Sequence, residues 1–146
     1  MMAPLADRSL RRLEGVHPRL VEVVLLAAAT SPMNFIVTDG VRTLERQIEL
    51  VKEGKSKTLR SRHLGPVGHA VDLAVILEDG TVSWENSLYK LLAMTMKEAA
   101  RQLAVPIEWG GEAFGSFYDG PHFQLPWKEF PLDVPNLNPA GQVTKT

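Results

Sequence analysis

Hydrophobic and polar residues repeat with two different periods along this 146-residue chain. The run after Pro18, RLVEVVLLAAAT, and the longer stretch WENSLYKLLAMTMKEAARQLA both carry apolar residues at helical spacing. A shorter helix is predicted around residues 7–14, and LERQIELVKEG is predicted to form another that is capped by Thr43. We expect Ser83 to cap the longest helix, whose buried face would comprise Leu88, Leu91, Leu92, Thr95, Ala99 and Leu103.

Strands are predicted where shorter apolar runs end in turn residues, in FIVTDG, HAVDLAVIL, VPIEWGG and PHFQL. These strands and helices do not follow a regular βαβ order. We therefore predict an α+β fold, with a small antiparallel β-sheet and flanking helices. Four prolines occur in the fourteen residues after Leu125. Residues 1–125 are accordingly predicted to form a single domain and residues 126–146 an irregular tail.

Composition excludes several classes of function. Hydrophobic residues make up 45% of the chain and charged residues 23%, and the net charge is −1, so no positive field attracts nucleic acid. Cysteine is absent, which rules out disulfides and thiolate ligands. The stretch MMAPLADRSLRRLEG lacks the apolar core of a signal peptide, and no apolar run is long enough to span a bilayer. These features predict synthesis in the cytoplasm without stable membrane association.

One aspartate interrupts the clearest strand pattern, in SRHLGPVGHAVDLAVIL. Because side chains alternate along a strand, Asp72 shares one face with Ala70 and Ala74, whereas the neighbouring valines and leucine form a core face. A carboxylate in that position is costly unless it is paired or binds a cation. His63 can fold back towards the face of Asp72, whereas His69 points with the core residues.

A second polar cluster, DGPHFQ, places Asp119 and His122 three residues apart around a Gly-Pro turn. Taken alone, the pair of His63 and Asp72 is most simply a satisfied hydrogen bond. Two histidines and a carboxylate can also hold a divalent ion and leave one position open for water. A further carboxylate beside that water is placed to accept its proton.

These residues resemble the motifs of a known family. Ser61-Arg62-His63, followed by Gly68, Ala70 and Asp72, is similar to the SxH…GxAxD signature of the zinc D-Ala-D-Ala carboxypeptidase and L-alanyl-D-glutamate endopeptidase family. WGG and DGPHF resemble its phage endolysin branch, and the similarity covers about residues 36–125. It implies a fold like that of Hedgehog and DD-peptidase domains, a Zn2+ cofactor, and hydrolysis of a peptide bond in the peptidoglycan stem, first of all the bond between L-alanine and D-glutamate.

Carried over residue by residue, the resemblance implies three metal ligands, namely His63, Asp72 and His122. Asp119 would be the general base and acid, and Arg42 would bind substrate or stabilise developing negative charge. Further substrate contacts would come from Gln47, Ser61 and Trp109. The implied partner is the peptidoglycan stem peptide, and the implied protein is a monomer made in the host cytoplasm that reaches the wall after the membrane is permeabilised.

The chain departs from the family pattern where Glu112 and Ala113 follow WGG, and in the loop before Asp72. His63 and Asp72 stand nine residues apart, two more than is usual, because LGPV replaces a shorter connection. The turn-forming Gly65-Pro66 can absorb the extra residues. His69 is the substitute ligand if it does not.

Other interpretations remain open at this point. Arg42 could form an ordinary surface ion pair with Asp39 or Glu45. The same donors could hold iron(II) in an oxygenase, although the spacing and the number of strands are wrong for that class. The chain could also be a D-alanyl-D-alanine carboxypeptidase of bacterial wall remodelling, or a non-catalytic zinc-containing domain that binds the wall. The basic positions are predicted to form a solvated loop, or one attracted to the anionic wall: Lys52, Lys55, Lys57, Arg60 and Arg62.

Overall fold

The computed structural model describes residues 5–56, 61–115 and 118–131. Within them the helices are α1 (Asp7–Arg12), α2 (Pro18–Thr30), α3 (Leu44–Lys52) and α4 (Asn86–Leu103). The strands are β1 (Asn34–Asp39), β2 (Ala70–Ile76), β3 (Val82–Ser83), β4 (Glu108–Trp109) and β5 (His122–Gln124). Residues 132–146 lie outside the described ranges, so the division into a domain and a tail after residue 125 stays a prediction.

The five strands form one antiparallel sheet, which confirms the predicted α+β class. Its order is β1-β2-β5-β4, and the short β3 pairs with the end of β2. The core lies where α2 and α4 pack together against one face of the sheet. Its largest buried apolar side chains include Leu20, Val23, Leu73, Leu92, Met96 and Phe123. No helix in the described part of the chain has the length and apolar character needed to cross a membrane.

Two predicted helix starts are confirmed by their caps. Pro18 occupies the first turn of α2, where its missing N–H costs nothing, and His17 caps the helix by accepting the N–H of Arg19 at Nδ1, 3.1 Å away. The hydroxyl of Thr43 accepts the N–H of Arg46 at 3.1 Å and caps α3. Both helices therefore begin where local sequence satisfies their free N–H groups.

The prediction for α4 is wrong in two respects. Ser83 belongs to β3 and does not cap the helix, and Leu91 of the predicted core face is 40% exposed. The hydroxyl of Tyr89 accepts the N–H of Val75 at 3.0 Å and donates to the carbonyl of Ser83 at 2.8 Å. This link to β2 fixes the rotation of the helix. The face that is actually buried comprises Tyr89, Leu92, Ala93, Met96, Ala99 and Ala100.

Candidate metal centre and cleft

Two of the three predicted metal ligands meet through the register of the sheet. Asp72 on β2 lies directly opposite His122 on β5. Opposed residues of an antiparallel pair bring their side chains within about 5 Å of each other. Nδ1 of His122 is 3.1 Å from Oδ1 of Asp72, although the two residues are 50 positions apart in the chain.

The third predicted ligand, His63, comes from the loop that precedes β2. Its Nε2 lies 3.3 Å from the same Oδ1 of Asp72. Its Nδ1 is 2.8 Å from the carbonyl oxygen of Gly40, and its own carbonyl accepts the N–H of Arg42 at 2.6 Å. The turn after β1 therefore holds His63 in place from two sides.

The two additional residues of this loop do not displace His63. The carbonyl of Gly68, at the far end of the loop, accepts the N–H of His17 at 2.8 Å, so the extra length is held against the start of α2. Nδ1 of His69 lies 3.0 Å from the carbonyl of Val67, and its ring packs 5.4 Å from that of His17. His69 thus lies outside the cluster, in the structural position expected if His63 reaches Asp72.

The three side chains form a compact donor set. One ligand atom from each of His63, Asp72 and His122 lies within 4.8 Å of the other two. Both histidines are buried, with 2% and 8% of their surface exposed, and their rings meet edge to face at 5.1 Å. The side chain of Asp72 is 25% exposed and opens the cluster to the cleft. This cluster could bind a metal ion.

Hydrogen bonds at the outer ring nitrogens decide which nitrogen of each histidine faces the cluster. Nδ1 of His63 donates to the carbonyl of Gly40, which leaves the lone pair on Nε2. Oε1 of Gln124 lies 2.8 Å from Nε2 of His122, and Nε2 of Gln124 donates to Oε1 of Glu108 at 3.0 Å. A carboxylate only accepts hydrogen bonds, so Gln124 must turn its carbonyl oxygen to His122, and His122 must donate.

This arrangement fits a metal site. With their outer nitrogens as donors, neutral His63 and His122 direct two lone pairs at one oxygen of Asp72. Such a contact is repulsive unless a cation or protons lie between the donors. Metal-ligating histidines commonly use their outer N–H in this way, since it fixes the ring and its tautomer.

The charges of the metal-free cluster are strongly coupled. Burial alone would raise the pKa of Asp72, but hydrogen bonds from His122 and His63 lower it far below its usual range. Burial likewise acts to lower the pKa of His122, yet the hydrogen bond and negative charge of Asp72 raise it overall. Without a metal ion, the cluster therefore keeps its aspartate ionised and stores protons on histidine.

Asp119, the predicted general base, lies in the turn that leads into β5 and lines the same cleft. Its N–H donates to the carbonyl of Gly110 at 2.8 Å, and its own carbonyl accepts the N–H of His122 at 3.1 Å. A Cβ atom on Gly110 would stand 2.3 Å from the carbonyl oxygen of Asp119, so only glycine fits there. Burial, and then the charge of Asp72, raise the pKa of Asp119.

Arg42 also lines the cleft, and its guanidinium is held from behind. It forms the ion pair with Asp39 that was one of the two simple alternatives, and its Nη1 donates to Oε1 of Gln47 at 2.9 Å. Gln47 is fully buried, and its Nε2 donates to Ser56 at 2.9 Å. Gln47 therefore acts on the cleft through Arg42 in this structure, and a direct contact with substrate stays a prediction.

The remaining two predicted residues, Ser61 and Trp109, form hydrogen bonds with the backbone next to the site. Ser61 lines the cleft, and its hydroxyl accepts the N–H of His63 at 3.1 Å. Trp109 is 6% exposed, and its indole N–H donates to the carbonyl of Gly120 at 2.7 Å, next to Asp119. Contacts of these two side chains with substrate stay predictions. In the structure, Ser61 holds the loop that carries His63, and Trp109 holds the turn before β5.

The cleft has a volume of about 540 Å³, and several of its side chains were not predicted from the sequence. Gln124 could have been found, because it shares a strand face with His122 two residues earlier. Phe114 and Trp127 carry no comparable signal. Arg62 was predicted to be solvated, which is wrong, because only 3% of it is exposed.

A small antiparallel sheet with flanking helices carries a His–Asp–His cluster in an open cleft, beside a half-buried carboxylate. Three protein donors with room for a further ligand, and a base nearby, are the parts of a metal-dependent hydrolase. Fold and site therefore define the chain as a candidate of that class.

Comparison with known proteins gives the family. The chain belongs to the phage L-alanyl-D-glutamate peptidase family, whose sequence profile matches residues 1–125. It is 36% identical over 99 residues to the L-alanyl-D-glutamate peptidase of a Listeria phage, a match covering 68% of this chain and 33% of that protein. It is 29% identical over 125 residues to the peptidoglycan L-alanyl-D-glutamate endopeptidase CwlK of Bacillus subtilis, covering 75% and 73% of the two chains.

The fold agrees with that of a solved relative. The crystal structure of the Serratia marcescens L-Ala D-Glu endopeptidase ChiX superposes with a TM-score of 0.79 at 45% identity, covering 86% of this chain and 92% of that one. The chain thus spans nearly the whole of ChiX but about a third of the Listeria phage protein. The family and fold predicted from the motifs are both confirmed.

Proposed function

We propose that the chain is a zinc peptidase that hydrolyses the bond between L-alanine and D-glutamate in the peptidoglycan stem. The observation that carries this proposal is the convergence of three metal-ligating atoms within 4.8 Å at the wall of a cleft. The family and the names of the three relatives support the choice of bond.

The donor set supports zinc. His63, Asp72 and His122 offer two imidazole nitrogens and one carboxylate oxygen, which leaves one tetrahedral position free, as in catalytic zinc sites. Both histidines donate their outer N–H to a fixed oxygen, that of Gly40 or Gln124, as metal-ligating histidines commonly do. Bound zinc would polarise the scissile carbonyl and lower the pKa of a water molecule to about 7.

Asp119 is the proposed proton carrier. It lines the cleft beside the three ligands without joining their cluster. Its raised pKa makes its carboxylate a better base than an ordinary aspartate. It would accept a proton from the attacking water and return it to the nitrogen of the leaving D-glutamate.

Arg42 is the proposed anchor for negative charge. Its side chain is 12% exposed, and that remaining surface faces a cleft that must receive a stem peptide rich in carboxylates. The contacts with Asp39 and Gln47 hold its guanidinium in one orientation before substrate arrives. Such preorganised donors stabilise a developing oxyanion or fix a substrate carboxylate.

The phage family supports a lytic role, in which the protein acts on the wall after the host membrane has been opened. Action as a monomer is a further part of the proposal.

The proposal is tested with purified protein and isolated wall sacculi. Mass spectrometry of the released fragments should show new N-terminal D-glutamate, with activity abolished by a chelator and restored by zinc. Asp119→Asn should lower turnover by about 10²- to 10⁴-fold and retain the metal. His122→Ala should lose both metal and activity.

Asp79→Asn is the matched control for Asp119→Asn, because Asp79 lies in an exposed turn and outside the cleft. It should behave as the unmodified protein. Release of free D-alanine instead of D-glutamate termini would identify a carboxypeptidase. Full activity in His122→Ala would refute the metal site, and iron rather than zinc in protein purified without added metal would refute the choice of ion.

A further inference from the structure

Arg62 is a buried cation with an unusual set of partners. Its Nε and Nη2 lie 3.0 and 2.7 Å from the carbonyl oxygen of Leu125, and Nη2 also reaches the carbonyls of Pro126 and Phe130 at 3.2 and 2.9 Å. No carboxylate forms an ion pair with it among the residues that the structure describes. A buried guanidinium is costly unless its N–H groups are bonded. Nε and Nη2 meet this requirement and fasten the segment after β5 to the loop that carries His63, whereas Nη1 has no hydrogen-bond partner among the described residues.

The same guanidinium packs on Trp127. The central carbon of the guanidinium is 4.2 Å from the centroid of the indole ring, within the range of a cation–π contact. Trp127 is half-buried and lines the cleft that contains the metal-binding cluster. A little further along, the ring of Phe130 packs edge-on against His17 at 5.1 Å. Trp127 is thus held in the side of the cleft by Arg62 on one side and by the packing of Phe130 on the other.

The segment that carries Trp127 lies beyond the part of the chain that matches the family. The family match ends at residue 125, and the sequence alone predicts an irregular tail from residue 126. Residues 126–131 form neither helix nor strand, yet Arg62 holds them at the edge of the cleft. The contacts with buried Arg62 therefore make this irregular segment a fixed part of the cleft.

We propose, on the basis of the proposed peptidase function, that Trp127 is a substrate-binding residue that contacts the aliphatic C–H surface of the peptidoglycan strand, and that Arg62 is its positioning residue. An indole supplies a large, rigid apolar surface. Because Arg62 already holds the ring, little conformational freedom is lost when substrate binds. The aliphatic surface belongs either to the stem peptide or to the sugar that carries it.

The test compares Trp127→Ala with Trp84→Ala, since Trp84 is 63% exposed and does not line the cleft. Two soluble substrates are used, a disaccharide-linked stem peptide and the same peptide without sugar. We expect Trp127→Ala to raise KM by about five- to tenfold with unchanged kcat and zinc affinity. A rise with both substrates assigns the contact to the peptide, and a rise with the disaccharide-linked one alone assigns it to the sugar. Trp84→Ala should leave KM unchanged.

The positioning role is tested with Arg62→Lys, which keeps the charge but lacks the planar guanidinium that packs on Trp127 and the second nitrogen that bonds the carbonyl of Leu125. It should raise KM in the same direction, and adding Trp127→Ala to it should cost less than Trp127→Ala alone, because the two residues are coupled. In an Asp119→Asn background, binding of the disaccharide-linked peptide should change tryptophan fluorescence, and Trp127→Phe should make that change smaller. This measurement carries the test if Trp127→Ala does not fold.

Unchanged KM for Trp127→Ala on both substrates, in a protein that cleaves the stem and binds zinc normally, would overturn this inference alone. So would a fluorescence change of the same size in Trp127→Phe as in the protein that keeps Trp127. Absence of cleavage by the unmodified protein would instead overturn the proposed function, and the inference that rests on it.

Discussion

Replacing Gln124 with leucine removes the acceptor that orients His122 while keeping the size of the side chain. Oε1 of Gln124 is 2.8 Å from Nε2 of His122, and the two residues are only 5% and 8% exposed, so water has little access to replace the lost partner. A buried N–H without an acceptor costs about 1–3 kcal/mol. His122 can avoid that cost by moving the proton to Nδ1, which is the atom that would ligate the proposed metal.

The expected result is a loss of metal affinity. Mutation of an outer-shell partner typically weakens binding by about 10- to 100-fold, which corresponds to about 1.4–2.8 kcal/mol. Competition of the metal-free protein against a chromophoric zinc chelator at neutral pH measures the dissociation constant directly. Circular dichroism of the same samples shows whether the fold is retained.

Gln102→Leu is the control for this experiment. Gln102 lies exposed on α4, outside the cluster, and its substitution is the same chemical change. Its zinc affinity should equal that of the unmodified protein. An equally unchanged affinity in a folded Gln124→Leu protein would refute the argument that the amide selects the ligating nitrogen.

Three further outcomes are expected. Gly110→Ala places a Cβ atom 2.3 Å from the carbonyl oxygen of Asp119 and 3.1 Å from Cβ of His122, so it should lower the free energy of unfolding by about 1–3 kcal/mol in urea titrations; wild-type stability would contradict the close approach. In metal-free protein, the folded pKa of Asp72 is lowered from 3.8 and that of His122 is raised from 6.5, so their pairing contributes full stability between these two values. That contribution should fall as pH rises through the raised pKa of His122, or drops through the lowered pKa of Asp72. The urea concentration at the midpoint of unfolding should depend less on pH in Asp72→Asn than in the unmodified protein. The same pH dependence in both proteins would argue against the coupling of Asp72 and His122. Arg42→Lys keeps the charge but loses one of its two anchoring contacts, so activity on the stem peptide should fall by about tenfold or more with zinc affinity unchanged; full activity would remove Arg42 from the proposed mechanism.

Much of the candidate site could be predicted because its signals are local. Strand alternation put Asp72 on the face opposite the core valines, and the DGPH turn put Asp119 next to His122. The resemblance to the family motif then assigned His63 to the same cluster despite the longer loop, and the three donors do converge. The local sequence pattern was enough to predict which residues lie together wherever those residues share one strand face or one turn.

The positions of Arg62 and Leu91 show where such signals fail. Arg62 follows a run of basic residues that pattern alone marks as solvated, yet it is buried because three carbonyls from the far end of the domain surround its guanidinium. Leu91 fits the apolar face of a regular helix, yet it is exposed because Tyr89 ties α4 to β2 and sets its rotation. Both outcomes depend on partners that are distant in the chain.

Sequence by itself determined the class of fold, the family and the three residues of the candidate metal cluster, because helical and strand periodicity and short motifs are properties of adjacent positions. Tertiary structure alone decided that Asp72 faces His122 across two strands, that Gln124 and Glu108 orient the ring of His122, and that Trp127 forms a wall of the cleft. Strand register and the burial of polar groups are set by packing between segments tens of residues apart, and no local pattern encodes which distant partner will be there.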